Sequence, residues 1–122
     1  MIRAVKFVSI PVRNQDEALA FYRDKLGLIV VTDQPFDDTQ RWIELRPAKG
    51  ETCIVLFTTD EHKAWIGSSM NLSLACDDVE GTYETLRERG VEFLAPPTKE
   101  HWGVYAILND QDNNRIMLSS SR

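Results

Sequence analysis

A chain of 122 residues and 14.0 kDa has the length of one ordinary domain, enough to bury about two-thirds of its unfolded surface without staples. Its 43% apolar and 27% charged residues exclude a disordered chain, a collagen and a coiled-coil rod. Fourteen Lys and Arg against 19 Asp and Glu give a net charge of −5 with no basic run, so the clustered cations that displace counterions from a nucleic acid are missing. The longest apolar runs, around residues 28–31 and 54–57, are far too short to span a bilayer. Residues 1–6 lack the apolar stretch of a secretory signal, which makes the cytoplasm the expected compartment.

In chain order, residues 5–12 alternate Val8, Ile10 and Val12 with Phe7, Ser9 and Pro11, the two-residue period of a strand with two distinct faces. Asn14 stands three residues before Glu17, the spacing of a reciprocally capped helix start. Ala18, Leu19, Tyr22 and Leu26 follow at helical spacing, and Gly27 supplies the stop. Strands are expected at 28–32, 41–45 and 52–58, separated by turns at 34–38 and 47–50. The order βαβββ then recurs. A strand alternates Leu72, Leu74 and Cys76 with Asn71, Ser73 and Ala75. Asp78 caps a helix carrying Val79, Tyr83 and Leu86 that ends at Gly90, and strands follow at 91–94, 102–109 and 115–119.

Val12 corresponds to Cys76, Asn14 to Asp78, Gly27 to Gly90, and Ile54-Val55-Leu56 to Ile116-Met117-Leu118, all at a spacing of about half the chain. Agreement of registers, caps and glycines together marks an internal duplication. One module spans residues 1–59 and the other 69–122, joined by a linker at 60–68, in a single domain. The two cysteines, Cys53 and Cys76, lie in apolar segments and read as small core residues. No CxxC or Cys/His cluster is present to hold a structural zinc.

These details resemble the glyoxalase, bleomycin-resistance and dioxygenase superfamily, also called the vicinal oxygen chelate fold. The matching residues are Ile10-Pro11-Val12-Arg13-Asn14, Phe21-Tyr22-Arg23-Asp24 and Leu26-Gly27 in the first half. In the second they are Cys76-Asp77-Asp78-Val79, Arg89-Gly90-Val91, Trp102-Gly103 and Asp110-Gln111-Asp112-Asn113-Asn114. The last run resembles the family's Asp-Pro-Asp-Gly-Asn turn, with Asn113 in the glycine position, where asparagine best tolerates a left-handed backbone.

The resemblance implies an α+β fold of paired βαβββ modules, a mixed sheet curled around a cleft with helices outside. It also implies metal ligands on the first and last strand of each module. Carried over, those positions are Phe7, Val55, Asn71 and Met117. A divalent ion needs several lone pairs, and one neutral amide does not supply them, so no metal and no other cofactor is expected. Shifting any of these strands by one residue brings in no better donor. His62 and His101 remain as non-family donors for a metal.

Strand parity then lines the cleft with Phe7, Ser9, Cys53, Val55, Phe57, Asn71, Ser73, Arg115 and Met117, with Trp42 and Trp102 as walls. Such a surface, mostly apolar with a few hydrogen-bonding groups, suits a small molecule, and its rings suit a planar or cationic one. The expected partners are a small-molecule ligand and a second copy of the chain. Neither nucleic acid nor membrane is expected. The competing expectation is a divergent metal-dependent lyase, isomerase or dioxygenase using non-family ligands. Without a metal, His101 or Glu44 is the candidate general acid or base of the cleft. No motif supports a nucleophilic mechanism.

Overall fold

The computed structural model describes residues 1–58 and 60–120. The chain divides into two compact units, Met1–Ile66 and Gly67–Arg122.

In the first unit, β1 (Phe7–Ile10) leads through the Asn14 cap into α1 (Gln15–Ala20), where the Asn14 side chain accepts from the Glu17 amide at 2.9 Å. The helix continues as a π-helical turn over Phe21–Lys25, and Gly27 ends it at φ 78°, a conformation only glycine adopts freely. Strands β2 (Ile29–Pro35), β3 (Arg41–Arg46) and β4 (Cys53–Leu56) follow. The sheet order is β1-β4-β3-β2, with β1 parallel to β4 and the other pairs antiparallel. One sheet face and the helix supply a dry core of Ile10, Val12, Ala18, Tyr22, Ile43, Leu45, Ile54 and Leu56. Gln15 fastens the helix start to the sheet: its side-chain amide donates to the Arg41 carbonyl at 2.6 Å and its oxygen accepts from the Arg41 amide at 2.9 Å.

The connecting stretch expected as a plain linker contains a short helix, α2 (Asp60–Lys63). The Lys63 ammonium reaches Asp60 at 3.2 Å across its single turn, as residues three apart on a helix do.

The second unit repeats the plan. Strand β5 (Ser69–Cys76) is followed by α3 (Val79–Glu88), whose Asp78 cap accepts from the Gly81 amide at 3.0 Å. Then come β6 (Glu92–Phe93), β7 (Thr98–Glu100), β8 (Gly103–Asn109) and β9 (Arg115–Ser120). The order is β5-β9-β8-β6, with β7 also on β8; β5 is parallel to β9. Strand β7 was not foreseen, because Thr98-Lys99-Glu100 is polar and exposed and carries no alternation. Its core is Val79, Tyr83, Leu86, Val91, Ala106, Leu108, Ile116 and Leu118.

The fold class is thus α+β, as expected, with the ladders forming two mixed sheets, one per unit, where the sequence pattern suggested one curled sheet. The Asp110–Asn114 turn between β8 and β9 is a buried polar knot. Asp110 accepts from the amides of Asp112 and Asn114 and from the Asn114 side chain. Asn114, fully buried, also accepts from the Gly67 amide at 2.8 Å. Asn113 has φ 62°, the left-handed conformation expected of it.

Candidate ligand-binding site

Phe7, Ser9, Trp42 and Val55 lie in strands of the first sheet, and Asn71, Ser73, Arg115 and Met117 in strands of the second. In the first unit, Phe7 is opposite Cys53 and Ser9 opposite Val55, while Glu44 is opposite Val55 on the other side. Four rings pack into one cluster. Trp42 lies 5.5 Å from Phe7, 5.3 Å from Phe57 and 5.7 Å from Phe36 between ring centroids, and Phe36 meets Phe57 edge-on at 5.1 Å. These are the separations at which aromatic pairs attract. Val55 is fully buried. The Trp42 indole donates to Glu44 Oε1 at 2.7 Å, so the one carboxylate of β3 serves first to orient a ring. Burial, and secondarily the Glu44 charge, hold the Cys53 thiol above its ordinary range, which makes it a poor nucleophile. Phe36 was missed by the sequence reading because it follows Pro35 in an expected turn; a half-exposed ring beside a proline was the available signal.

The second unit holds a hollow of its own. This hollow of about 390 Å³ is lined by the polar residues Ser69, Asn71, Ser73 and Arg115 and the apolar residues Leu72, Leu94, Ile107 and Met117. Asn71, Ser73, Arg115 and Met117 all line this hollow. Strict alternation alone does not produce this lining. Ser69 is opposite Arg115, yet the next pair is Ser73 with Met117, so β5 bulges at Met70–Leu72. Asn71 sits in that bulge at φ 51°, a left-handed conformation that asparagine tolerates better than most residues. The bulge adds Leu72 to the lining, out of phase with its neighbours. Leu94 joins Ile107 because its amide donates to the Ile107 carbonyl at 2.9 Å.

Trp102 is not among the residues of this hollow. It precedes β8 instead of lying in it, is exposed and stacks on Tyr105 at 6.0 Å. His62 packs against Trp65 at 5.3 Å, and His101 is exposed in the turn before β8.

A second hollow, of about 380 Å³, lies at the start of α1 between Arg13, Gln15, Gln40, Arg41 and Lys63. Its charges are committed internally: Arg41 pairs with Asp16 at 2.8 Å and Asp33 at 2.9 Å, and Lys63 pairs with Asp60.

The four positions at which a metal would be held do not fit one. Phe7 and Val55 offer no lone pair, and Asn71 and Met117 offer one amide and one thioether, a donor set too weak and too mixed in softness for a divalent ion. Among the described residues no group of three or more His, Cys, Asp or Glu could hold a metal ion elsewhere.

Two βαβββ units with this turn, these caps and these sheet registers define a superfamily, and comparison with known proteins names it. The chain belongs to the Glyoxalase/Bleomycin resistance protein/Dioxygenase superfamily, whose family description fits residues 4–118. Among curated relatives it is 30% identical to the uncharacterized protein YetH of Bacillus subtilis (strain 168), over 97% of this chain and 98% of that one. Among solved structures it is similar to a superfamily member from Sphaerobacter thermophilus DSM 20745, with TM-score 0.89, 30% identity and 98% of both chains covered. It is also similar to TnmS3, an antibiotic binding protein from Streptomyces sp. CB03234, with TM-score 0.88, 32% identity, and 98% and 96% of the two chains covered.

Proposed function

We propose that this chain is a small-molecule-binding protein of its superfamily that works without a metal at the four family positions. The observation that carries the reading is the β5–β9 hollow: a space of about 390 Å³, at the lower end of the range small-molecule pockets occupy, in which two of those positions, Asn71 and Met117, present neutral side chains. The likeness to an antibiotic binding protein supports sequestration over turnover. The four-ring face of the first unit, with its exposed Phe36, offers planar ligands a second surface. Phe7, Ser9, Trp42, Val55 and Phe57 belong to that surface, and Trp102 stands beside Tyr105 as a further stacking plate. The protein acts in the cytoplasm as a homodimer, a second copy covering an edge such as β2, where Ile29 and Val31 are exposed; open strand edges of this kind are ordinarily covered.

Thermal-shift measurements with Ni²⁺, Mn²⁺, Fe²⁺ and Zn²⁺ beside a panel of planar organic compounds test the reading. Organic ligands should raise the melting temperature by several degrees and the metals should not. Elemental analysis of native protein finding about one tightly held divalent ion per chain would overturn it.

A further inference from the structure

The charge of the ligand is legible from the same hollow. Arg115 is the one formally charged side chain among the hollow's lining residues. Its backbone is fixed by the β9 ladder and by donation to the Ser68 carbonyl at 3.0 Å, while no carboxylate of the described residues pairs with its guanidinium. A guanidinium presents several donors in a planar fork that matches a carboxylate or sulfonate. Asn71, also in the lining, carries an amide on a backbone held at φ 51° within the bulge. A left-handed non-glycine residue costs free energy that only surrounding structure offsets. The same hollow is lined by Leu72, Leu94, Ile107 and Met117, four side chains that gain by covering hydrocarbon.

We infer that the β5–β9 hollow takes an apolar organic anion, with Arg115 holding the charged group, Asn71 donating a second hydrogen bond, and Leu72, Leu94, Ile107 and Met117 covering the ligand's body. This rests on the reading of the hollow as a small-molecule site and reverses the sign of charge that the chain's net −5 suggests. Net charge acts through solvent, where screening sets in within about 8 Å at physiological salt; the lining of the hollow itself carries one formal charge, that of Arg115.

The test uses the full chain and two probes that share one hydrocarbon body, 8-anilinonaphthalene-1-sulfonate and its uncharged parent N-phenyl-1-naphthylamine, titrated by fluorescence. The sulfonate should bind roughly tenfold more tightly at low salt. Arg115→Gln should erase that preference, weakening the sulfonate far more than the neutral probe, and Arg115→Lys should restore only part of it. Asn71→Asp, which keeps a side chain tolerant of the left-handed backbone, should weaken the sulfonate alone. Equal binding of both probes, or a preference that survives Arg115→Gln, overturns the charge assignment and leaves the pocket standing. Failure of both probes to bind overturns the pocket and the assignment together.

Discussion

The two units share an order of elements, a cap at the helix start and a parallel pairing of first and last strands, and yet their sheets are finished in opposite ways. Phe7 and Val55 of the first correspond to Asn71 and Met117 of the second. In the first unit Val55 is fully buried, and Phe7, Trp42, Phe36 and Phe57 pack into one ring cluster. Around Met117 the second unit sets serines, a bulged strand and an arginine, and a hollow remains. The connections differ too. The β3–β4 connection is a light turn in which Gly50 donates to the Pro47 carbonyl at 3.1 Å, whereas β8–β9 is joined by the buried Asp110–Asn114 knot. On one plan of elements, one unit gathers a ring cluster while the other holds a hollow with hydrogen-bonding capacity.

The cores should show no such asymmetry. Leu45→Ala and Leu108→Ala each empty a fully buried site and should each cost about 2–5 kcal/mol in urea unfolding; a cost under about 1 kcal/mol for either would mean that its unit repacks and that the cores are not alike. The turns should separate next. Asn114→Ala strips a buried side chain bonded to Gly67 and Asp110 and should cost about 2–4 kcal/mol, against less than about 0.5 kcal/mol for Lys49→Ala in the light turn. The faces come third: Trp42→Ala should destabilise by about 1.5–3 kcal/mol, and Met117→Ala by less than half of that. Equal losses would show that both faces are packing.

Smaller effects sharpen the contrast. Asn71→Val should lower stability by about 1–2 kcal/mol relative to Asn71→Gly, since a β-branched residue resists φ 51°; thermal melts of the two variants decide it. Both thiols are held above their ordinary range. Cys53 is shifted by burial and then by Glu44; Cys76 is shifted by burial, which outweighs a hydrogen bond with Thr82 that acts the other way. Because the folded state favours the protonated thiol, this contribution to stability is fully present below the ordinary thiol range and is lost as pH rises through the folded value. Iodoacetamide should accordingly react more slowly with folded than with urea-unfolded protein near pH 8–9. Glu44→Gln should move the Cys53 alkylation midpoint down in pH and leave that of Cys76 in place.

Much of the architecture was written in local signals. Asn14 and Asp78 cap, Gly27 and Gly90 stop, and Ile10, Ile43, Ile54, Leu108 and Ile116 alternate into the cores because each of these depends on near neighbours in sequence. The left-handed Asn113 was readable because its neighbours Asp110 and Asn114 specify the turn. The hollow was half legible. Parity brought Asn71, Ser73, Arg115 and Met117 to one face, whereas Leu72 entered through a bulge, which depends on how β5 and β9 pair across the chain and leaves no periodic trace. Phe36 was hidden for a related reason: its place among the rings is set by Trp42 and Phe57, not by residues beside it. Trp102 was assigned to a wall by counting it as the first residue of β8, and a strand that begins one residue later released it.

The bulge in β5 has a consequence for how such a surface changes over generations. Ordinarily, inserting or deleting one residue in a strand turns every following side chain to the other face. Here the ladder is pinned separately on either side, at Ser69 with Arg115 and from Ser73 with Met117 onward, so a length change among Met70–Leu72 is absorbed between the pins. Segment length thereby becomes a heritable variable of the hollow, free to reshape what it admits while Leu74 stays in phase with the core.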